Sequence, residues 1–192
     1  MTDRLPDHIR YFFIFIKNIK RPLYLLINIL YLCRKVFALL NQTYRLMLTK
    51  STEYALRALI FTQVKNWEGH RPGVAEIAKE IEAPVPFTAK ILQTLTRHRL
   101  LDSVRGRGGG FFFPEGKAEL RLYDVVMVME GSGLFHQCGL GLKNCSDEHP
   151  CPIHHQYARI RDGFLDLVNK ETIQSLAHGI RKGRAVLKSI NQ

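Results

Sequence analysis

Residues 138–155 read CGLGLKNCSDEHPCPIHH and gather Cys138, Cys145 and Cys151 with His149, His154 and His155; His136 lies just upstream. The thiols and the first histidine after them are spaced C-x6-C-x5-C-x2-H. Thiolates bind soft or borderline metals, and an imidazole can complete a four-ligand set, so this group can hold zinc or an iron–sulfur cluster. Zinc knuckles commonly pair their cysteines about two to four residues apart, whereas these spacings describe a wider loop that suits a larger object. Gly139, Gly141, Pro150 and Pro152 shape the loop without committing it to helix or strand. Redox-active thiols are the competing reading. A disulfide between two of the three is chemically feasible and would leave an odd thiol. Catalysis is disfavoured, because no acid/base pair accompanies the cysteines and neither a CxxC dithiol nor a nucleotide fingerprint is present.

The remaining cysteine, Cys33, is far upstream, and the opening MTDRLPDHIR is not a signal peptide. This usage points to a reducing, cytoplasmic setting, where clustered cysteines act as ligands or redox thiols rather than staples. A chain of 192 residues can bury a core without disulfides. Its 28 basic and 17 acidic residues give a net charge of +11. An acidic partner follows, with nucleic acid first and an anionic membrane second.

The elements that must position the thiols begin at Met47. TKSTEYALRALIFTQVKN, from Thr49, carries a helical stripe at Tyr54, Ala55, Ala58, Leu59 and Thr62, ended by Gly69, Pro72 and Gly73. VAEIAKEI (74–81) and PFTAKILQTLTRHRLL (86–101) are two helices about a tight break, the second with proline in its first turn. Such a pair is a helix-turn-helix pattern. DSVRGRGGGFFFPEG then joins two short strands through a glycine turn carrying Arg105 and Arg107. A two-stranded wing beside a second helix is suited to DNA: the helix enters the major groove, and wing arginines and backbone N–H groups meet phosphate or the minor groove. Gly108, Gly109 and Gly110 allow the backbone to approach a polyanion. A phosphate-binding P-loop is the competing reading of GRGGG, but the Gly-Lys-Ser/Thr ending and a following helix are missing. RLYDVVMVMEG (121–131) reads as a further helix, and the stretch after the cysteines carries a stripe at Tyr157, Ile160, Phe164, Leu167 and Val168. That stripe suits dimerisation, with packing back on its own domain as the alternative.

The predicted fold is mainly α with a small β-wing: a winged helix-turn-helix domain plus a long dimerisation helix. Four segments are expected: a basic apolar extension over 1–46, the DNA-binding domain over 47–131, the cysteine loop over 132–155, and the dimerisation helix with its tail over 156–192. The extension holds eight basic against two acidic residues, +6 of the total charge. Lys17, Lys20 and Arg21 interrupt its apolar run, which disfavours a membrane span or tether. A basic amphipathic surface helix is a second reading, and a start at Met47, leaving the extension non-native, is the preferred one.

Three motifs in order, LTKSTEYALRAL, SVRGRGGGF and the cysteine loop, resemble the Rrf2 family of winged-helix transcription regulators from Met47 to about Ala185. The family includes regulators of iron–sulfur assembly and nitric-oxide-responsive repressors. The resemblance implies a homodimer on a double-stranded DNA operator, probing its site with two recognition helices. It also implies a [2Fe-2S] or [4Fe-4S] cluster on Cys138, Cys145 and Cys151. The fourth ligand implied is His154 in one type and, in the other, an acidic residue supplied by the partner subunit at the position of Glu53; His154 is preferred. For DNA, the resemblance and the wing together point to Lys50, Phe87, Lys90, Arg105, Arg107, Gly108 and Gly109. Pro84 and Pro86 stand where hydroxyl-bearing residues are expected, and the x6 spacing departs from the expected x5.

Overall fold

The computed structural model describes residues 48–187. The extension, with Cys33 and Met47, lies outside the described residues, as do the three readings of it. Helix α1, Lys50–Trp67, starts where Thr49 accepts the Thr52 N–H on its side-chain oxygen. This satisfies one of the donors that a helix start leaves open. Its stripe falls as the periodicity predicts: Ala55, Ala58, Leu59 and Thr62 are fully buried.

Helices α2, Val74–Glu80, and α3, Val85–Arg97, form the helix-turn-helix. Glu82, at φ 55°, bends the chain between them. Pro86 occupies the first turn of α3, where a missing N–H costs nothing. Ile91, Leu92 and Leu95 face the core. The helix predicted to reach residue 101 ends at Arg97. Arg99 takes a left-handed φ of 57°, and the Leu100 N–H donates back to the Leu95 carbonyl, a helix stop that usually employs glycine. This stop frees Leu101 to enter the core at the base of the wing.

Strands β1, Asp102–Val104, and β2, Gly110–Phe112, pair antiparallel with Ser103 opposite Phe111. A Cβ on Gly109 would stand 2.2 Å from the Val104 carbonyl oxygen, so only glycine closes this turn. The wing is fixed to the body by backbone: the Phe111 N–H donates to the Pro72 carbonyl at 3.0 Å. Asn66 completes the attachment. Its amide nitrogen donates to the carbonyls of His70 (2.9 Å) and Phe111 (3.2 Å), and its oxygen accepts the Phe113 N–H at 2.9 Å.

Helix α4, Leu122–Glu130, closes at Gly131, and a 3-10 turn, Ser132–Phe135, leads into the cysteine loop. Helix α5, His154–Lys170, follows, then α6, Ile173–Arg181. The segment read as a dimerisation helix and tail therefore divides at Glu171. Residues 120–122 and 171–173 run alongside each other: the Leu122 N–H donates to the Glu171 carbonyl (3.0 Å) and the Ile173 N–H to that of Leu120 (2.8 Å), which demands extended backbone in place of a continuous helix. Thr172 and Ser175 then exchange side-chain-to-backbone bonds as a capping box and start α6, which packs on α1 through Ile173 and Ala177. The stripe on α5 divides as well. Val168 is buried and Phe164 packs on the core, whereas Ile160 and Leu167 are exposed.

The described residues belong to one compact unit, so the DNA-binding, cysteine-loop and α5–α6 segments share a core. Among the described residues no helix is long and apolar enough to cross a membrane. Asn66→Ala leaves two carbonyls and one N–H of the wing attachment unpaired, and should lower stability by about 1–3 kcal/mol. Urea unfolding measures this, and amide exchange at Phe113 should accelerate more than exchange in α1.

Candidate functional site

The thiol site is assembled by the loop between the 3-10 turn and α5. The sulfurs of Cys138, Cys145 and Cys151 lie within 4.8 Å of one another, with Cys138 Sγ 3.6 Å from Cys151 Sγ. Cys151 is buried, the other two are half-buried, and all three are free thiols. His154, the first residue of α5, directs Nδ1 to within 3.0 Å of Cys145 Sγ, and its Nε2 is 2.9 Å from an Asp147 carboxylate oxygen. Among the candidates for a fourth ligand, the chain thus brings His154 to its own thiols. Glu53 is on α1, where its carboxylate pairs with the Lys50 ammonium at 2.6 Å. His149 is exposed, and its backbone N–H donates to the Ser146 hydroxyl at 3.2 Å.

Local chain geometry explains the close approach. The Gly141 N–H donates to the Cys138 carbonyl at 2.9 Å, and a φ of 71° at Gly141 turns the chain back so that the N–H groups of Leu140 and Leu142 reach the Cys138 sulfur. The six-residue spacing is taken up in this turn. A Cβ on Gly139 would come within 2.7 Å of the Tyr157 ring, so glycine lets the loop lie directly on α5. At the far end the His154 N–H donates to the Cys151 carbonyl at 3.0 Å, joining the last thiol to the first turn of the helix.

This donor set fits an iron–sulfur cluster. Three converging thiols and an imidazole supply four ligands, and N–H groups aimed at sulfur are a recurring means of tuning such centres. The same set also fits a single zinc ion. Sequence reasoning overlooked Asp147; nothing in SDEHP distinguishes it from Glu148 until the loop is folded.

The second candidate surface is the exposed side of α3 and the wing. Phe87 meets Tyr54 edge-on with ring centres 5.8 Å apart, and is still about one-third exposed. Lys90, Arg105, Arg107 and Gly108 are exposed, and Gly109 is half-buried. Lys50 is exposed at its helix start, its charge already engaged by Glu53. Gln93 and Arg97, unmarked in the sequence reading, are exposed three and seven residues after Lys90 and extend its face. Arg71 also escaped it: its guanidinium stacks 4.5 Å over the Phe112 ring at the base of the wing.

The profile of the Rrf2 family, described as "Iron-dependent Transcriptional regulator", matches residues 48–179. The chain belongs to the Rrf2 family. It is therefore a transcriptional regulator and not an enzyme, as the three motifs led one to expect. Protein aau3 of Rhizobium meliloti (strain 1021) is 34% identical over 130 residues, 67% of this chain and 83% of that protein. Two solved structures share the fold. CymR, described as the global cysteine regulator of B. subtilis, aligns with a TM-score of 0.54 at 21% identity, over 68% of this chain and 95% of that one. IscR of T. potens aligns with a TM-score of 0.56 at 15% identity, over 74% and 93%.

The thiols of this Rrf2 chain are not equivalent. The N–H of Leu142, then that of Leu140, stabilise the Cys138 thiolate and bring its pKa down from the ordinary thiol value to about 7. Cys145 moves up. The Cys151 N–H pulls it down, but desolvation and the neighbouring Cys151 and Cys138 sulfurs together outweigh that pull. In the metal-free protein, Cys138 is protonated and slow below about pH 7 and a thiolate above it. Iodoacetamide labelling followed by mass spectrometry should find Cys138 alkylated before Cys145, with its rate rising through about pH 7. Equal rates at Cys138 and Cys145 would contradict the inequality.

Proposed function

We propose that this chain is a homodimeric DNA-binding repressor of the cytoplasm whose operator affinity is set by an iron–sulfur cluster responding to redox state, nitric oxide or cluster supply. One observation carries the reading: three free thiols within 4.8 Å of one another, with His154 Nδ1 3.0 Å from Cys145 Sγ, at the first turn of α5. Cys138, Cys145, Cys151 and His154 would hold a [2Fe-2S] or [4Fe-4S] cluster. When bound, it supplies a redox- and nitric-oxide-sensitive cross-link. The protein's own part is mechanical: ligands at both ends of the loop tie it to α5, and their release frees residues 138–151 and unloads the helix start.

Dimerisation falls to α5. Ile153, Ile160 and Leu167 recur every seventh residue and are exposed, a narrow apolar seam of the kind that pairs helices. Two copies joined there would present two α3 helices to successive major-groove segments, with Phe87 and Lys90 toward bases and phosphates. Arg105 and Arg107, with the backbone at Gly108 and Gly109, would grip the flanking backbone or minor groove. Lys50 would bind a phosphate near the start of α1. A change at the start of α5 alters the spacing of the two reading heads, and this links the thiols to affinity.

A second reading is supported by the 3.6 Å separation of Cys138 and Cys151 sulfurs: the same regulator without a cluster, switched by thiol oxidation or holding zinc. Anaerobic purification separates the two. The cluster reading predicts a coloured protein with iron and acid-labile sulfide, and loss of the visible absorbance in Cys138→Ala, Cys145→Ala and Cys151→Ala. A colourless protein with one zinc per chain contradicts it. On DNA, Arg105→Ala with Arg107→Ala should weaken binding across sequences and lower the salt slope by about one for each phosphate that is no longer neutralised.

A further inference from the structure

We infer that Asp147 is a positioning residue that fixes the tautomer of His154 and so presents Nδ1, rather than Nε2, as the imidazole ligand. The inference rests on the cluster reading above and adds to it the residue that orients the fourth ligand.

A neutral imidazole carries one N–H and one lone pair, and the partner of one nitrogen decides which face the other shows. His154 Nε2 stands 2.9 Å from Asp147 Oδ1, and a carboxylate can only accept, so the ring proton resides on Nε2. In the neutral ring the lone pair is then on Nδ1, the nitrogen 3.0 Å from Cys145 Sγ.

The loop holds the carboxylate in place. Ser146 and His149 close a small turn around it: the Ser146 N–H donates to the His149 carbonyl at 3.3 Å, and the His149 N–H donates to the Ser146 hydroxyl at 3.2 Å. Asp147 sits within this turn with its side chain 93% exposed, whereas the His154 side chain is only 13% exposed. The exposed carboxylate keeps its solvation while the enclosed ring has little freedom to flip. His155 packs its ring at right angles to that of His154, 5.1 Å away, and limits the ring from another side. A carboxylate on the outer nitrogen of a metal-bound histidine orients the ring and raises its basicity, and loss of such a partner commonly weakens metal affinity about 10- to 100-fold.

The test uses the anaerobic holoprotein, full chain, with histidine labelled with 15N at Nδ1 only. Pulsed EPR of the reduced cluster should show strong 15N coupling in the wild type. Asp147→Ala should lose that coupling or move it to the unlabelled Nε2, and should release iron to a chelator about tenfold faster or more. Asp147→Asn retains an oxygen that accepts the Nε2 proton and should keep the Nδ1 coupling. A disturbed loop would lower cluster occupancy without changing which nitrogen couples. The proposal is overturned if Asp147→Ala keeps the Nδ1 coupling of the wild type, whatever its rate of iron release. It is also overturned if the wild-type cluster couples to Nε2 or to no histidine nitrogen, a result that leaves the cluster reading standing. A wild-type protein that takes up neither iron nor sulfide, even after reconstitution, removes the cluster reading and this inference together.

Discussion

Helix α5 begins one turn after Cys151, and this short tether is the constraint on which the rest of the molecule depends. The Cys151 carbonyl accepts the His154 N–H, and the Ile153 carbonyl accepts that of Tyr157, so the last thiol is built into the helix start. The other end of the loop is pressed onto the same helix, with Gly139 lying directly against the Tyr157 ring. A loop fixed at both ends to one helix cannot change its internal cross-links without changing the forces on that helix. Packed interiors respond to such loads by shifting whole elements rather than by deforming continuously.

Helix α5 meets the core through aromatic rings. Phe135 is stacked between Tyr123 of α4, at 5.4 Å, and Phe164 of α5, at 6.1 Å. Ring pairs of this kind contribute about 0.5–1.5 kcal/mol each beyond the area they bury. At the end of α4, Glu130 accepts the Thr49 N–H at 2.7 Å and the Thr52 hydroxyl, which joins α4 to the start of α1. At the other end of α1, Asn66 holds the wing. The thiol loop, α5, α4, α1 and the wing thus form a continuous chain of packed and hydrogen-bonded groups.

Much of this was legible in the sequence because local signals agreed with tertiary demand. The stripe of α1, the break before Pro86, the glycine-arginine turn and the glycine after α4 each specify one backbone solution, and the structure adopts it. The failures arose where tertiary packing overrode local pattern. The helical period continues past Lys170, but pairing of residues 171–173 with 120–122 requires extended chain there. The capping box that restarts the helix uses Ser175 where glutamate or glutamine is the usual signal. The end of α3 was equally hidden, since Arg99 adopts a conformation for which glycine is the expected marker. In the thiol site, the donors could be read from residue type and spacing. The hydrogen bonds that differentiate them, from Leu140, Leu142 and Asp147, depend on how the loop folds back on itself.

Paired affinities of the holo and metal-free protein for one operator, selected in vitro and measured at a single salt concentration, test most directly whether the thiol loop governs DNA binding. Coupling of this type predicts that the two affinities differ by about 5- to 150-fold, with the difference abolished in Cys145→Ala. Equal affinities in the two forms, at every salt concentration tried, would contradict the link between the loop, α5 and the reading heads.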